Sequence, residues 1–330
     1  MKYFSLIFVV LLNALNADAQ QHDFTASKIR LPEEISDYDN QFSGLQISNG
    51  ALFMMSESRL QDNKEAKLYS IKLADIERQL KDSTYELPFK KITIYGLHVL
   101  RNKMKEQEQV YEGLEAFIID NKTVYFSVET NTPSANCYFI KGKLSSGSVY
   151  LDSSLLAVTK PRQADGSAVY NAGFEAIALI RNRLYGFYEY NYFEHNYVYG
   201  YNPLFEPGKD SVLTDKIPFR ITDITPAGNN HFTAINFFFK GGGADTVYRV
   251  PATDSNYALI NTSNNFHNYC RLVDIDASGE HLTWKNLWEF PAAYQDYNWE
   301  GMAAYKKGYF IINDKYGPAR PYSSVLLYLH

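Results

Sequence analysis

Carboxylates stand in pairs along this chain. Glu112 pairs with Glu129, Glu175 with Glu189, and Glu300 with Asp314, each pair bracketing a short apolar run with a polar turn in its middle. Two further runs share the layout with one acid each, Ser43 with Glu57 and Asp223 with Asn236. In chain order the partners are 14, 17, 14, 13 and 14 residues apart. Acids gathered at such a spacing have two chemical uses. They can hold a hard cation through oxygen, and beside a metal that polarises an ester or phosphoryl oxygen and activates water a spare carboxylate can act as general base. Oxygen-only donors with one amide suit Ca²⁺ rather than zinc. The metal ligands expected are Glu112, Glu175, Asp223 and Glu300, and the catalytic pair is Glu300 with Asp314. Glu57, Glu129, Glu189 and Asn236 complete the rim, with Arg271, Lys315 and Arg320 as neutralising charges. So many carboxylates would repel unless protonated, paired or metal-bound. The plainer alternative is that they accept backbone N–H groups and hold neighbouring elements together.

The elements that must position them read as β-hairpins. In Asn171–Tyr190, Glu175 opens an apolar strand, Arg181-Asn182 turns it, and Glu189 closes an aromatic strand. Antiparallel pairing places the start of one strand beside the end of the other, so both acids share one end. A third strand follows most hairpins, as in Lys67–Leu73, Asn136–Ile140, Asn196–Tyr201 and Thr246–Val250. A hairpin of fixed phase repeated along a chain predicts an all-β array, a β-propeller with the paired acids at the mouth of its central channel. Six blades are favoured, the sixth beginning at Tyr269–Ile275 with His281–Phe290. With those residues as outer strands of the preceding blade, the count is five. The last repeat ends at Val325–Leu329 without an outer strand, and Ser27–Leu31 is an orphan strand near the start, so the N-terminal strand is expected to close the ring.

The rest of the chain limits the function classes. Met1–Ala19 reads as a signal peptide, with Lys2, an apolar core at Phe4–Leu15 and a small-x-small site at Ala17–Ala19. An exported protein of a single domain over residues 20–330 follows. The apolar core is too short to span a bilayer, so no membrane insertion is expected. A net charge of −5 without basic runs argues against nucleic acid. Cys137 and Cys270 are read as a disulfide or as two buried thiols. Of the 27 tyrosines, those at Tyr188–Tyr201 are dense enough to form a ring-binding surface, although inter-blade packing accounts for most. Two inserts are expected, at Gln61–Ala66 and Ala74–Lys81, and Pro251–Asn268 reads as a polar loop. No H-E-x-x-H, C-x-x-C, phosphate loop or G-x-S-x-G is present.

The hairpin motifs resemble the phytase-like family, also described as "esterase-like activity of phytase". The resemblance rests on Ser43-Gly-Leu with Ser56-Glu57, Glu112-Gly-Leu with Ser127-Val-Glu129, Asn171-Ala-Gly-Phe-Glu175 with Glu189, Thr222-Asp-Ile, and Trp299-Glu-Gly-Met with Asn313-Asp314. It covers roughly Ser27 to Leu329. Ala176, Asn236 and Lys315 depart from the family pattern, where Gly, an acid and Asn are common. The resemblance implies ester or phosphoester hydrolysis. The expectation is a monomeric exported hydrolase, Ca²⁺-dependent, acting on a small-molecule ester or phosphoester or on a glycan. The rival is a non-catalytic propeller that binds glycan or protein.

Overall fold

Strand formation follows from composition. Alternating aromatic and β-branched residues pack both faces of stacked sheets, and Asn or Gly at positive φ turns the hairpins, as at Asn49-Gly50, Arg181-Asn182 and Asn229-Asn230. The computed structural model describes residues 23–57, 66–193, 196–206 and 208–330. Their twenty long strands form five four-stranded antiparallel sets. The first set holds Phe42–Ser48, Ala51–Ser56, Lys67–Lys72 and Phe89–Tyr95, and the second Tyr111–Asp120, Thr123–Thr130, Asn136–Ser145 and Ser148–Thr159. The third is Phe174–Ile180, Arg183–Tyr188, Val198–Tyr201 and Asp210–Thr214. The fourth is Arg220–Gly228, His231–Phe238, Tyr269–Asp276 and His281–Glu289. The fifth is Trp299–Tyr305, Gly308–Asn313, Leu326–Leu329 and, from the other end of the chain, Ala26–Ile29.

The first strands of consecutive sets pack against one another in a closed circuit, the fifth returning to the first. A separate apolar cluster fills each of the five junctions between neighbouring sets. The fold is a β-propeller. Tyr269–Asp276 and His281–Glu289, weighed as the opening of a sixth blade, pair instead as the outer half of the fourth. Parallel pairing of outermost strands fuses the first blade to the second and the third to the fourth.

Closure by the N-terminal strand is borne out. Ala26 pairs with Leu329 and Ile29 with Leu326, so the last blade takes its outer strand from the start of the chain. The expected insert at Ala74–Lys81 is a helix, Leu73–Lys81, with Ile76 and Gln79 buried. Met1–Ala19, read as a signal peptide, and nearly all of Gln61–Ala66 lie outside the described residues. Cys137 and Cys270 are both free and buried. Tyr188, Tyr190, Tyr199 and Tyr201 are buried between the second and third blades, with Tyr192, Phe193 and Tyr197 packed against them, so that cluster is interior rather than a binding surface.

Ring closure should carry a measurable part of the stability. Deleting residues 23–31 bares the edge of Leu326–Leu329 and exposes the apolar surface that Ile29 covers, at a cost of about 3 kcal/mol or more. A thermal melt of the truncated chain that matches the chain from residue 20 onward would contradict this.

Candidate active site

Each innermost strand carries a β-bulge where it reaches the channel mouth. The extra residue of a bulge leaves the ladder and its side chain is re-aimed. The bulged residue is Glu115 in the second blade, Glu175 in the third, Thr222 in the fourth and Glu300 in the fifth, while in the first Ser43 and Gly44 share the place. The residue before the bulge pairs with Ser56, Val128, Tyr188, Asn236 and Asn313 respectively, from the first blade to the fifth. The next residue along is Glu57, Glu129, Glu189, Phe237 and Asp314. Acid pairs thus form in three blades, and Glu57 meets Ser43 in the first, where Ser43 Oγ donates to Glu57 Oε1.

This register sets two of the expected ligands out of phase with the other acids. Glu112 is displaced by Glu115, which lies 14 residues before Glu129, the same offset as in the other acid blades. Glu112 sits at an earlier bulge and does not line the cavity, though its charge helps raise the Glu129 pKa. Asp223 is one residue past the bulge. It is buried, and its carboxylate accepts N–H groups from Leu45 (3.3 Å), Ile224 (2.8 Å) and Met302 (2.6 Å). Those amides belong to the first, fourth and fifth blades, so the Asp223 carboxylate ties the ring together. Burial pushes its pKa up to about 8 against these three donors.

The remaining acids converge. Glu57, Glu115, Glu129, Glu175, Glu300 and Asp314 line one cavity of about 430 Å³ with Arg220 and Lys315. Glu189 is fully buried behind Glu175. Its Oε1 accepts from Gly173 N at 2.9 Å. Asn236 and Arg271 stand outside the cavity. Asn236 Nδ2 donates to the carbonyl oxygens of Pro218 and Arg220, and Arg271 Nε donates to Asn236 Oδ1 at 2.9 Å. The pair therefore props the strand that carries Arg220.

Arg220 is the functional residue the sequence reading missed. Its guanidinium lies 3.4 Å from both Glu175 and Glu189, with 13% of its side chain exposed. It occupies the position two before the bulge. Gly113 and Gly173 hold the equivalent place in the second and third blades. A Cβ on Gly113 would stand 2.9 Å from Glu57 Oε2, and one on Gly173 would stand 3.1 Å from Glu129 Cγ. In three successive blades, then, this position faces the closing acid of the blade before. Two glycines make room for a carboxylate, and Arg220 neutralises one.

The electrostatics follow from burial. Desolvation, reinforced by neighbouring carboxylates, holds Glu129, Glu189 and Glu300 well above the usual glutamate range. Burial also raises Asp314, opposed by the N–H groups of Lys315 and Tyr316 and by Asn298. Burial acts to lower Arg220, but the charges of Glu175 and Glu189 outweigh it and raise its pKa. Asn298 Nδ2 donates to Glu300 Oε1, so the last acid pair shares one amide.

Oxygen donors here match Ca²⁺ in kind, and two buried oxygens, Glu129 Oε1 and Glu175 Oε2, have no hydrogen-bond partner among the described residues. Among the described residues no three acidic, His or Cys side chains stand together as a ready ligand set. A cation would therefore take much of its shell from water or substrate.

No protein-family model and no curated protein sequence matches the chain. Its fold is shared with solved enzymes. The PQQ-bound aldose sugar dehydrogenase of Streptomyces coelicolor superposes with a TM-score of 0.50 at 10% identity, over 93% of this chain and 99% of the other. A GH43_1 enzyme of Xanthomonas citri complexed with xylotriose gives 0.49 at 8% identity, over 92% and 90%. A putative oxidoreductase (glucose dehydrogenase) of Thermus thermophilus gives 0.49 at 12%, over 93% and 100%. At these identities the likeness concerns the fold alone.

The raised acids fix the sign of a pH dependence. They bind protons more tightly folded than unfolded. Their contribution is complete below the ordinary glutamate value of 4.5 and is lost as pH rises through the folded values. Stability should therefore decline from pH 5 to pH 8. Arg220→Met, which leaves Glu189 without its cation, should steepen the decline, with a cost of about 3–5 kcal/mol at pH 8 and far less at pH 4. Chemical denaturation across that range checks both slopes, and a flat profile for the variant would contradict the pairing.

Proposed function

We propose that this chain is an exported hydrolase whose acidic cavity cleaves an ester or glycosidic bond in a small hydroxyl-rich substrate. The observation that carries the reading is the Glu300–Asp314 pair, two carboxyls of one hairpin that line the same cavity and share the Asn298 side-chain amide; burial raises both, and the Asp314 charge raises Glu300 further. Like charges this close favour a shared proton, the arrangement that separates an acid from a base. Glu300, raised by burial and by the Asp314 charge, donates its proton to the leaving oxygen. Asp314, steadied by the Lys315 and Tyr316 N–H groups, takes a proton from the attacking water. Arg220 and Lys315 line the same space and stabilise negative charge that develops on the substrate.

The balance of charge narrows the substrate. Six glutamate and aspartate side chains, with Asp245 as a seventh, line the cavity against two cations. A phosphoester anion is disfavoured there, and a neutral bond among hydroxyl groups is favoured. Export rests on the signal-like segment Met1–Ala19, and the hydrolase class agrees with the resemblance to phytase-like proteins. Calcium belongs to this reading as an ion that Glu129 and Glu175 would ligate through their unpartnered oxygens, Glu129 giving up its proton on binding. When bound, it would offset the cavity's negative charge and polarise a substrate oxygen.

Two measurements test the reading. Glu300→Gln keeps the oxygen that accepts from Asn298 and removes the proton donor, so turnover on a broad panel of esters and glycosides should fall at least about tenfold with the fold intact. Wild-type inactivity across the panel would sink the enzyme assignment. For calcium, millimolar CaCl₂ should raise the melting temperature of the wild type and leave Glu175→Gln nearly unmoved. Equal shifts in both proteins would remove the ion from the account.

A further inference from the structure

The fourth blade departs from the others between its second and third strands. Thirty residues, 239–268, join His231–Phe238 to Tyr269–Asp276, against 5 in the second blade, 9 in the third and 12 in the fifth. The sequence reads Thr246–Val250 here as a third strand and Pro251–Asn268 as a polar loop; Thr246–Tyr248 instead ends a 3₁₀ segment, the third strand is Tyr269–Asp276, and the excursion is built. It contains 3₁₀ segments at Gly243–Tyr248 and Tyr257–Leu259, and a hairpin of Asn261–Thr262 with Asn265–Phe266 turned by Ser263 and Asn264 at positive φ. It also has an apolar core in which Val250 and Ile260 pack with Phe219, Phe238 and Tyr269.

The excursion serves two spaces. Phe239 and Asp245 line the acidic cavity, and Phe239 is also a wall of a second, open cleft of about 390 Å³. Lys240, Gly241, Arg249, Asn264, Asn265 and Phe266 complete that cleft; its lining includes no carboxylate, and the Asp245 side chain packs against Gly241 from the cavity side. Among the described residues neither Lys240 nor Arg249 forms an ion pair, in a chain of net charge −5. The Arg249 guanidinium is fixed in place. It donates to the carbonyl oxygens of Gly241 (2.9 Å) and Lys240 (3.2 Å) and lies over the Phe266 ring at 4.1 Å from its centroid. Two cations without an ion pair among the described residues, two carboxamides and an aromatic face beside an acidic cavity make a site of opposite polarity across one shared side chain.

We infer that this cleft binds an anionic group, a carboxylate, sulfate or phosphate, carried at the far end of an extended hydroxyl-rich ligand. The near end of that ligand enters the acidic cavity, so the inference rests on reading the cavity as a substrate site. Arg249 supplies planar donors and Lys240 a mobile charge, while the acids beyond Phe239 repel the anion and so orient the ligand.

The test uses the full chain carrying Glu300→Gln, so that turnover does not consume the ligand. Isothermal titration with a neutral trisaccharide and with its uronic, 6-sulfated and 6-phosphorylated counterparts compares the anions directly. At least one charged form should bind about tenfold or more tighter than the neutral parent, and that advantage should shrink as salt rises. Lys240→Gln, at an exposed position, should remove most of the advantage and leave neutral binding unchanged. Arg249→Gln should do the same, and Arg249→Lys should restore part of it. Equal affinity for neutral and charged forms, no binding by any charged form, or indifference to Lys240→Gln overturns the inference. Charge-dependent binding through Lys240 without turnover by the wild type would instead leave the cleft standing and remove the hydrolase.

Discussion

The propeller's central constraint is electrostatic, because its geometry drives carboxylates into one another. Repeating one hairpin around an axis carries any acid at the bulge, and any acid at the hairpin's closing end, to the same mouth. Left unpaired, buried carboxylates are costly. This chain meets the cost in three ways. Arg220 stands between Glu175 and Glu189, Asp223 is given to three backbone amides, and Glu129, Glu300 and Asp314 are held toward their protonated forms. The fourth blade supplies the relief. It alone of the five places neither Glu nor Asp at the bulge or at the closing position, having Thr222 and Phe237 there.

The same constraint makes chemistry available. A carboxyl that keeps its proton near neutral pH is a donor in waiting, and one steadied by amide N–H groups beside it is a base. The bulges matter because they separate residues that serve the cavity from residues that serve the ring. Glu300 leaves the ladder and faces the cavity, while Asp223, one place further along its strand, turns to the amides of three blades. A one-residue difference of phase thus divides a catalytic candidate from a structural one.

That difference marks where the sequence was legible and where it was not. The hairpins, the propeller, the closing N-terminal strand and the pairs Glu175–Glu189 and Glu300–Asp314 could all be read from spacing. The two odd offsets, 17 and 13, were the places where the reading slipped. Glu112-Gly113 imitates the Glu-small dipeptide at the other bulges, but a second bulge three residues on makes Glu115 the equivalent. In the fourth blade an additional bulge between Pro226 and Gly228 lengthens the hairpin, so Asp223 and Asn236 both fall out of phase. Arg220 was hidden for the same reason, since its role shows only when Thr222 is placed at the bulge. Irregularities of register leave little trace in residue type, because the strands on either side of them stay equally apolar.

The central claim is that burial holds acids at the channel mouth toward their protonated forms. Infrared spectroscopy of the folded protein reads this directly, since a protonated carboxyl has a carbonyl stretch distinct from the carboxylate bands. At pH 7 that stretch should be present, should lose intensity in Glu300→Gln and again in Glu129→Gln, and should vanish on unfolding, when each acid returns to water and ionises. A spectrum at pH 7 without it, in a protein shown to be folded, would mean that the carboxylates are charged and neutralised by other means, and the acid–base account would be wrong.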